Sequence, residues 1–189
     1  QKQWNYTIGA NYKYFSDKGF HTFVLSRNHL NNNAVKYSDN IEIEENLVLD
    51  YLSEEIENKF RYEYEFGHTN SEIQIGLGVE QSSYINDTYK QVLNEDSISQ
   101  DNYNSELNFL KFSLFSQLTN QFLNERVVTS LGIRTDFNTY SKIHMNPLSQ
   151  VAPRFSIGYY LTPSLKYSFN MGLYYQLPPY TVLGYRDEN

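Results

Sequence analysis

Apolar and polar residues alternate along most of this chain, in blocks of about ten residues, the length of a strand that crosses a bilayer at a tilt. Trp4, Tyr6, Ile8, Ala10, Tyr12 and Tyr14 fall on one side of an extended backbone, and Asn5, Thr7, Gly9, Asn11 and Lys13 on the other. A period of two is the signature of a strand with one apolar and one polar face. The same pattern sets Ile56, Phe60, Tyr62, Tyr64 and Phe66 against Glu57, Lys59, Arg61, Glu63 and Glu65. It sets Ile73, Ile75, Leu77 and Val79 against Glu72, Gln74, Gly76, Gly78 and Glu80. Leu131, Ile133 and Phe137 oppose Ser130, Gly132, Arg134 and Asp136; Phe155, Ile157, Tyr159 and Leu161 oppose Arg154, Ser156 and Gly158. Tyr167, Phe169, Met171, Leu173 and Tyr175 close the series. Two further strands, near Phe20–Arg27 and Leu107–Leu118, are less regular, and in the second Phe109 and Phe115 sit on the polar side.

The connections alternate as well. Ser16–Gly19, Gly67–Asn70, Asn120–Glu125 and Thr162–Ser164 are short and turn-like. Between them lie long stretches, Asn28–Glu55, Gln81–Ser105, Asn138–Val151 and the tail from Leu177, all expected to be loops. Short turns at one end and long loops at the other are the asymmetry of outer-membrane barrels, whose long loops are extracellular. The pattern therefore predicts an all-β fold: an antiparallel transmembrane β-barrel segment of about eight strands. Val48, Leu52, Ile56 and Phe60 recur every four residues, which leaves a short helix beginning near Glu44 as an alternative over that stretch.

Composition sharpens the picture in four places. The mean hydropathy of −0.61 is no argument against a membrane barrel, because only alternate residues face lipid. The aromatic content of 16% suits the aromatic girdles of such barrels. The absence of cysteine excludes disulfide frameworks, thiolate metal sites and cysteine nucleophiles. A net charge of −7 argues against a nucleic-acid partner, since phosphate binding needs clustered Lys and Arg. No apolar run is as long as a transmembrane helix, and Gln1–Tyr6 lacks the form of a signal peptide.

Chemical motifs are few. The acidic run Glu42, Glu44, Glu45, Asp50, Glu54, Glu55 and Glu57 lacks the spacing of a calcium loop and reads as a solvated charge run. His21, His29, His68 and His144 show no metal-binding spacing. No phosphate loop, nucleophile elbow or other catalytic constellation is present, so neither an enzymatic activity nor a cofactor is expected. The polar faces do carry charge, and Arg134, Asp136 and Arg154 are expected to line a barrel lumen. Beyond Pro178-Pro179, Tyr180, Tyr185 and Arg186 are candidate ligand contacts: aromatics offer stacking surface and Arg a fork for anions.

Four stretches resemble a known family. Leu131-Gly132-Ile133-Arg134-Thr135-Asp136 resembles the GlRxD strand of TonB-dependent receptors. Asn146-Pro147-Leu148-Ser149, followed by Ala152-Pro153-Arg154-Phe155, is similar to their npls…sPR strand opening. Tyr167–Gln176 with Leu177-Pro178-Pro179-Tyr180 resembles the YyqlPpY strand and loop, and Leu49-Asp50-Tyr51 with Glu57–Glu63 resembles the lDY…E…lR.E stretch. The resemblance runs over Leu49–Tyr185. It implies an outer-membrane importer of a scarce nutrient (siderophore, cobalamin, glycan or peptide) whose barrel has roughly 22 strands around a plug. The implied partners are the lipid bilayer, the protein's own plug domain, a TonB-type energising protein and the nutrient. The chain lacks the family's plug, its TonB box and its terminal aromatic. Residues 1–189 are thus expected to be an interior piece of the barrel domain. The competing expectation is a self-contained eight-stranded outer-membrane barrel with a structural or adhesive role. A lipocalin-like soluble barrel is disfavoured, because it would leave the aromatic face in water.

Overall fold

The computed structural model describes residues 1–94 and 97–184. Eight strands form one antiparallel sheet in chain order: β1 (Lys2–Ser16), β2 (Gly19–Tyr37), β3 (Leu47–His68), β4 (Ser71–Asn94), β5 (Ser97–Phe122), β6 (Val127–Asn138), β7 (Val151–Thr162) and β8 (Leu165–Gly172). Each alternating block of the sequence is one of these strands. β1 and β8 are not paired with each other, so the sheet is open. A five-residue helix, α1 (Tyr180–Gly184), follows β8.

Residues directly opposite in an antiparallel pair point to the same face. Tyr12 lies opposite Phe23, Phe23 opposite Tyr62, Tyr62 opposite Leu77 and Leu77 opposite Leu114. Further along, Leu118, Leu131, Phe155 and Met171 form another row. The apolar sides of all eight strands therefore make one continuous face, and the polar sides make the other. Burial runs opposite to that of a water-soluble sheet. The buried strand residues include Thr22, Ser53, Ser82, Asn86, Ser105 and Asn138, all on the polar face. Ile8, Leu25, Ile75, Leu131, Phe169 and Met171, all on the apolar face, are exposed.

The four short turns lie at one end of the sheet. At the other end the structure corrects the expected loops. Residues 28–37 belong to β2, 47–55 to β3, 81–94 to β4 and 97–105 to β5. Alternation fades there because both faces are polar, yet the ladder continues. Cross-strand amide and carboxylate pairs bridge it: Arg27 donates to Asn58 at 2.8 Å, Asn31 to Glu54 at 2.8 Å and Asn58 to Gln81 at 3.3 Å. The connection between β6 and β7 is a loop, as expected. The helix near Glu44 reduces to one 3-10 turn, Glu44–Asn46. Val48, Leu52, Ile56 and Phe60 share a face because four is a multiple of the strand period.

β8 ends at Gly172, four residues short of the expected Gln176. Leu173 donates its N–H to the Pro153 carbonyl at 3.0 Å, but proline has no N–H to return. The ladder stops there, and the chain turns onto the polar face.

Phe115 owes its place on that face to a glycine. It sits opposite Gly76, where a Cβ would come within 2.3 Å of the phenyl ring. Gly76→Leu should therefore cost about 1–3 kcal/mol by overpacking. Adding Phe115→Ala should relieve part of that cost, with a coupling of about 0.5–3 kcal/mol in a double-mutant cycle of denaturant unfolding. Strictly additive effects would show that ring and glycine do not share this space.

Candidate functional site

The polar face gathers its charges into rows because the register aligns them. Lys59, Glu80 and Lys111 stand directly opposite one another on β3, β4 and β5. Lys111 Nζ lies 2.6 Å from Glu80, and Lys59 Nζ lies 3.3 Å from Glu80 and 2.7 Å from Glu57. Two ammonium groups and two carboxylates thus neutralise each other. Partly desolvated charges need such partners, since an isolated buried charge is costly.

Tyr180 enters this cluster from α1 and is 9% exposed. Its phenol donates to Glu57 at 2.6 Å and accepts from Lys111 at 2.5 Å, with Ser82 Oγ at 3.1 Å. The ring packs against Tyr84, Leu107 and Phe109, with Leu177 and Leu183 at the margin. Lys111 Nζ also lies 4.8 Å from the ring centroid, a cation–π distance. Burial, and next the hydrogen bond to Glu57, hold the phenol well above its ordinary ionisation range. It is a neutral donor at physiological pH.

Arg134, Asp136 and Arg154, expected to line a lumen, share the polar face and line one cleft there. Arg134 grips Asp136 with two hydrogen bonds of 2.7 Å, a planar bidentate pair. Arg154 stands between Gly132 and Gly172 on the flanking strands. Those positions leave it room to lie across the sheet, where its guanidinium is 4.7 Å from the Tyr174 ring. Among the described residues it has no carboxylate within ion-pair distance. Lys59, Arg61, Lys111, Arg134 and Arg154 line one cleft of about 490 Å³ on the polar face. Glu63, Glu80 and Asp136 line it too, so cations outnumber carboxylates in a chain whose net charge is −7.

The structure relocates one predicted residue. Tyr180 was expected in a rim loop near an incoming ligand; it is instead an internal anchor. Tyr185 and Arg186 lie outside the described residues. Sequence reasoning missed Lys111, Ser82 and the apolar patch around Tyr84 and Leu107. The off-pattern Phe109 was the available signal, because it lies on the polar face where Tyr180 docks. No group of three His, Cys, Asp or Glu side chains suited to a metal ion occurs among the described residues.

Tyr180→Phe should loosen α1 by about 1.5–3 kcal/mol, the loss of hydrogen bonds to charged partners, while leaving the ladder intact. Hydrogen exchange at the Val182 and Leu183 amides, which bond Pro179, reads this directly. The docked phenol holds its proton more tightly than a free one. Docking should therefore be complete below pH 10.0, the ordinary tyrosine value, and weaken as pH rises above it. Equal exchange in the parent and in Tyr180→Phe would remove the anchor role. No family model, curated protein or solved structure matches this chain.

Proposed function

We propose that this chain is a segment of a Gram-negative outer-membrane β-barrel that imports a scarce nutrient, the role of the TonB-dependent receptors its sequence resembles. One observation carries the reading: the sheet is inside-out. Its continuous apolar face is the exposed one, and its charged face is the one that pairs, buries and receives α1. An exposed apolar surface of this extent marks an interaction site, and lipid is the partner that matches a belt bounded above and below.

The belt has such bounds. On β6 the apolar face runs from Val127 to Phe137, about 33 Å along the strand at roughly 3.3 Å per residue. At a tilt of roughly 40° it covers about 25 Å, the height of the apolar band in outer-membrane barrels. Beyond it, the same face turns polar: Arg27 and Asn31 follow Leu25 on β2, and Gln81 and Ser83 follow Val79 on β4. Aromatic groups mark both rims. At the short-turn rim His21 stacks on Tyr64 at 4.3 Å, beside Tyr14 and Phe66. At the other rim Trp4 and Tyr6 flank His29 at 4.7 and 5.5 Å. Interfacial girdles of this kind are usual in such barrels.

In this reading the short turns are periplasmic, and the extensions of β2–β5 rise outside the cell. The polar face lines the lumen, where Arg134, Asp136 and Arg154 meet the plug. The open edges at β1 and β8 join further strands of the complete barrel, because lipid tolerates no unpaired edge.

Leu131→Arg separates a membrane sheet from a water-borne one. Leu131 is 55% exposed, so in water the change should cost under about 0.5 kcal/mol, as surface substitutions do. Facing lipid near the midplane it should cost about 2–4 kcal/mol. Folding of the complete protein into lipid vesicles, titrated with urea, measures the difference. Ser130→Arg, on the polar face, serves as the control. A neutral Leu131→Arg would remove the membrane assignment.

A further inference from the structure

Residues 173–184 cross the polar face from the end of β8 to β4 and β5, and the way they are held has a consequence. After Leu173, the backbone bonds given by Val182 and Leu183 stay within the segment, on Pro179. Pro178 and Pro179 have no N–H to give. Side chains of the sheet and of the loop between β6 and β7 fasten the segment instead. Tyr180 is bound by Glu57 and Lys111, Tyr140 Oη donates to the Leu183 carbonyl at 2.9 Å, and Tyr103 Oη donates to the Gly184 carbonyl. Gly184 seats so closely that a Cβ there would lie 2.7 Å from Ser105 Oγ. Releasing such a fastening breaks no ladder hydrogen bond, so it belongs to the local openings that a folded sheet survives.

What the segment covers gives the fastening a role. Tyr175, Gln176 and Leu177 wall a space of about 440 Å³ whose other side is Lys111, Arg134, Asp136 and Arg154. Those four also line the larger cleft. Lys111 serves both: it faces the cleft and holds the phenol. We infer that residues 173–184 form a strap, latched by Tyr180 in the Glu57–Lys59–Glu80–Lys111 cluster, that opens and closes the space it walls against Lys111, Arg134, Asp136 and Arg154, beside the polar-face cleft. With the strap docked, Lys111 is committed to the phenol and Ser82 beneath it is 0% exposed. With the strap released, Lys111 and the cation-rich wall face the cleft without the phenol. Anything that binds Lys111 from the cleft side competes with the latch. The latch itself needs only the polar face; its meaning as a gate over a transport path rests on the barrel reading above.

The chain contains no cysteine, so introduced thiols report without background from it. In the complete protein in its membrane, Ser82→Cys should react slowly with a water-soluble maleimide. Adding Tyr180→Ala should speed the reaction about 10- to 100-fold, the shift expected when charge-assisted hydrogen bonds leave a local opening equilibrium. Tyr180→Phe should fall between them. A second variant leaves Ser82 in place: Ser105→Cys with Gly184→Cys should form a disulfide under mild oxidation, and more slowly once Tyr180→Ala is added. Equal maleimide rates with and without Tyr180, or a cross-link whose rate ignores Tyr180, would overturn the latch. Neither result depends on Leu131→Arg, so failure of the latch and failure of the membrane reading are told apart.

Discussion

An antiparallel ladder sends successive side chains to opposite faces, and a slip of one residue exchanges those faces completely. Everything in this structure follows from the ladder holding its register through the apolar rows of all eight strands, its two shifts falling near strand ends, between Lys36 and Tyr37 and between Tyr160 and Thr162. Seven strand pairs keep the row from Tyr12 through Phe23, Tyr62, Leu77 and Leu114 on the same side as the row from Leu118 through Leu131 and Phe155 to Met171. Because the apolar side is continuous, the charged side is continuous too. A single slipped pair would thrust Glu, Lys and Arg into the belt and break both surfaces.

Continuity of the polar side decides its chemistry. Register brings Lys59, Glu80 and Lys111 opposite one another across three strands, while Lys59–Glu57 and Arg134–Asp136 pair two residues apart on the same face of one strand. In half-buried pairs of this kind the loss of hydration offsets much of the attraction. Their consequence is positional: they form a neutral bed into which Tyr180 places one phenol. Large residues on this face are admitted where a small one yields, as Phe115 does over Gly76. Glycine on either side of Arg154 gives a guanidinium the same room.

The strands of the belt were legible because a half-apolar strand writes its period into the sequence. The upper halves of β2, β3, β4 and β5 were not, since polar residues on both faces erase the period and resemble loop composition. Asn28–Asn33 shows this well: a run that reads as a loop pairs residue by residue with β1 and β3. The early end of β8 was written in Pro153, but only the pairing of Pro153 with Leu173 reveals it. Arg134, Asp136 and Arg154 could be assigned to one face by parity alone. The docking of Tyr180 could not, because it depends on a chain reversal after β8 and on partners 69 and 123 residues away in sequence.

The central claim is that the exposed apolar face meets lipid and the charged face meets an aqueous interior. A nitroxide scan along β6, one label at a time from Val127 to Asn138 in the complete protein reconstituted in a bilayer, reads both faces at once. The account predicts a period of two. Odd positions, Leu131 and Ile133 among them, should relax with oxygen dissolved in the bilayer, and even positions, Gly132 and Arg134 among them, should not. Odd positions relaxed instead by a water-soluble paramagnetic complex would place the apolar face in water and contradict the account.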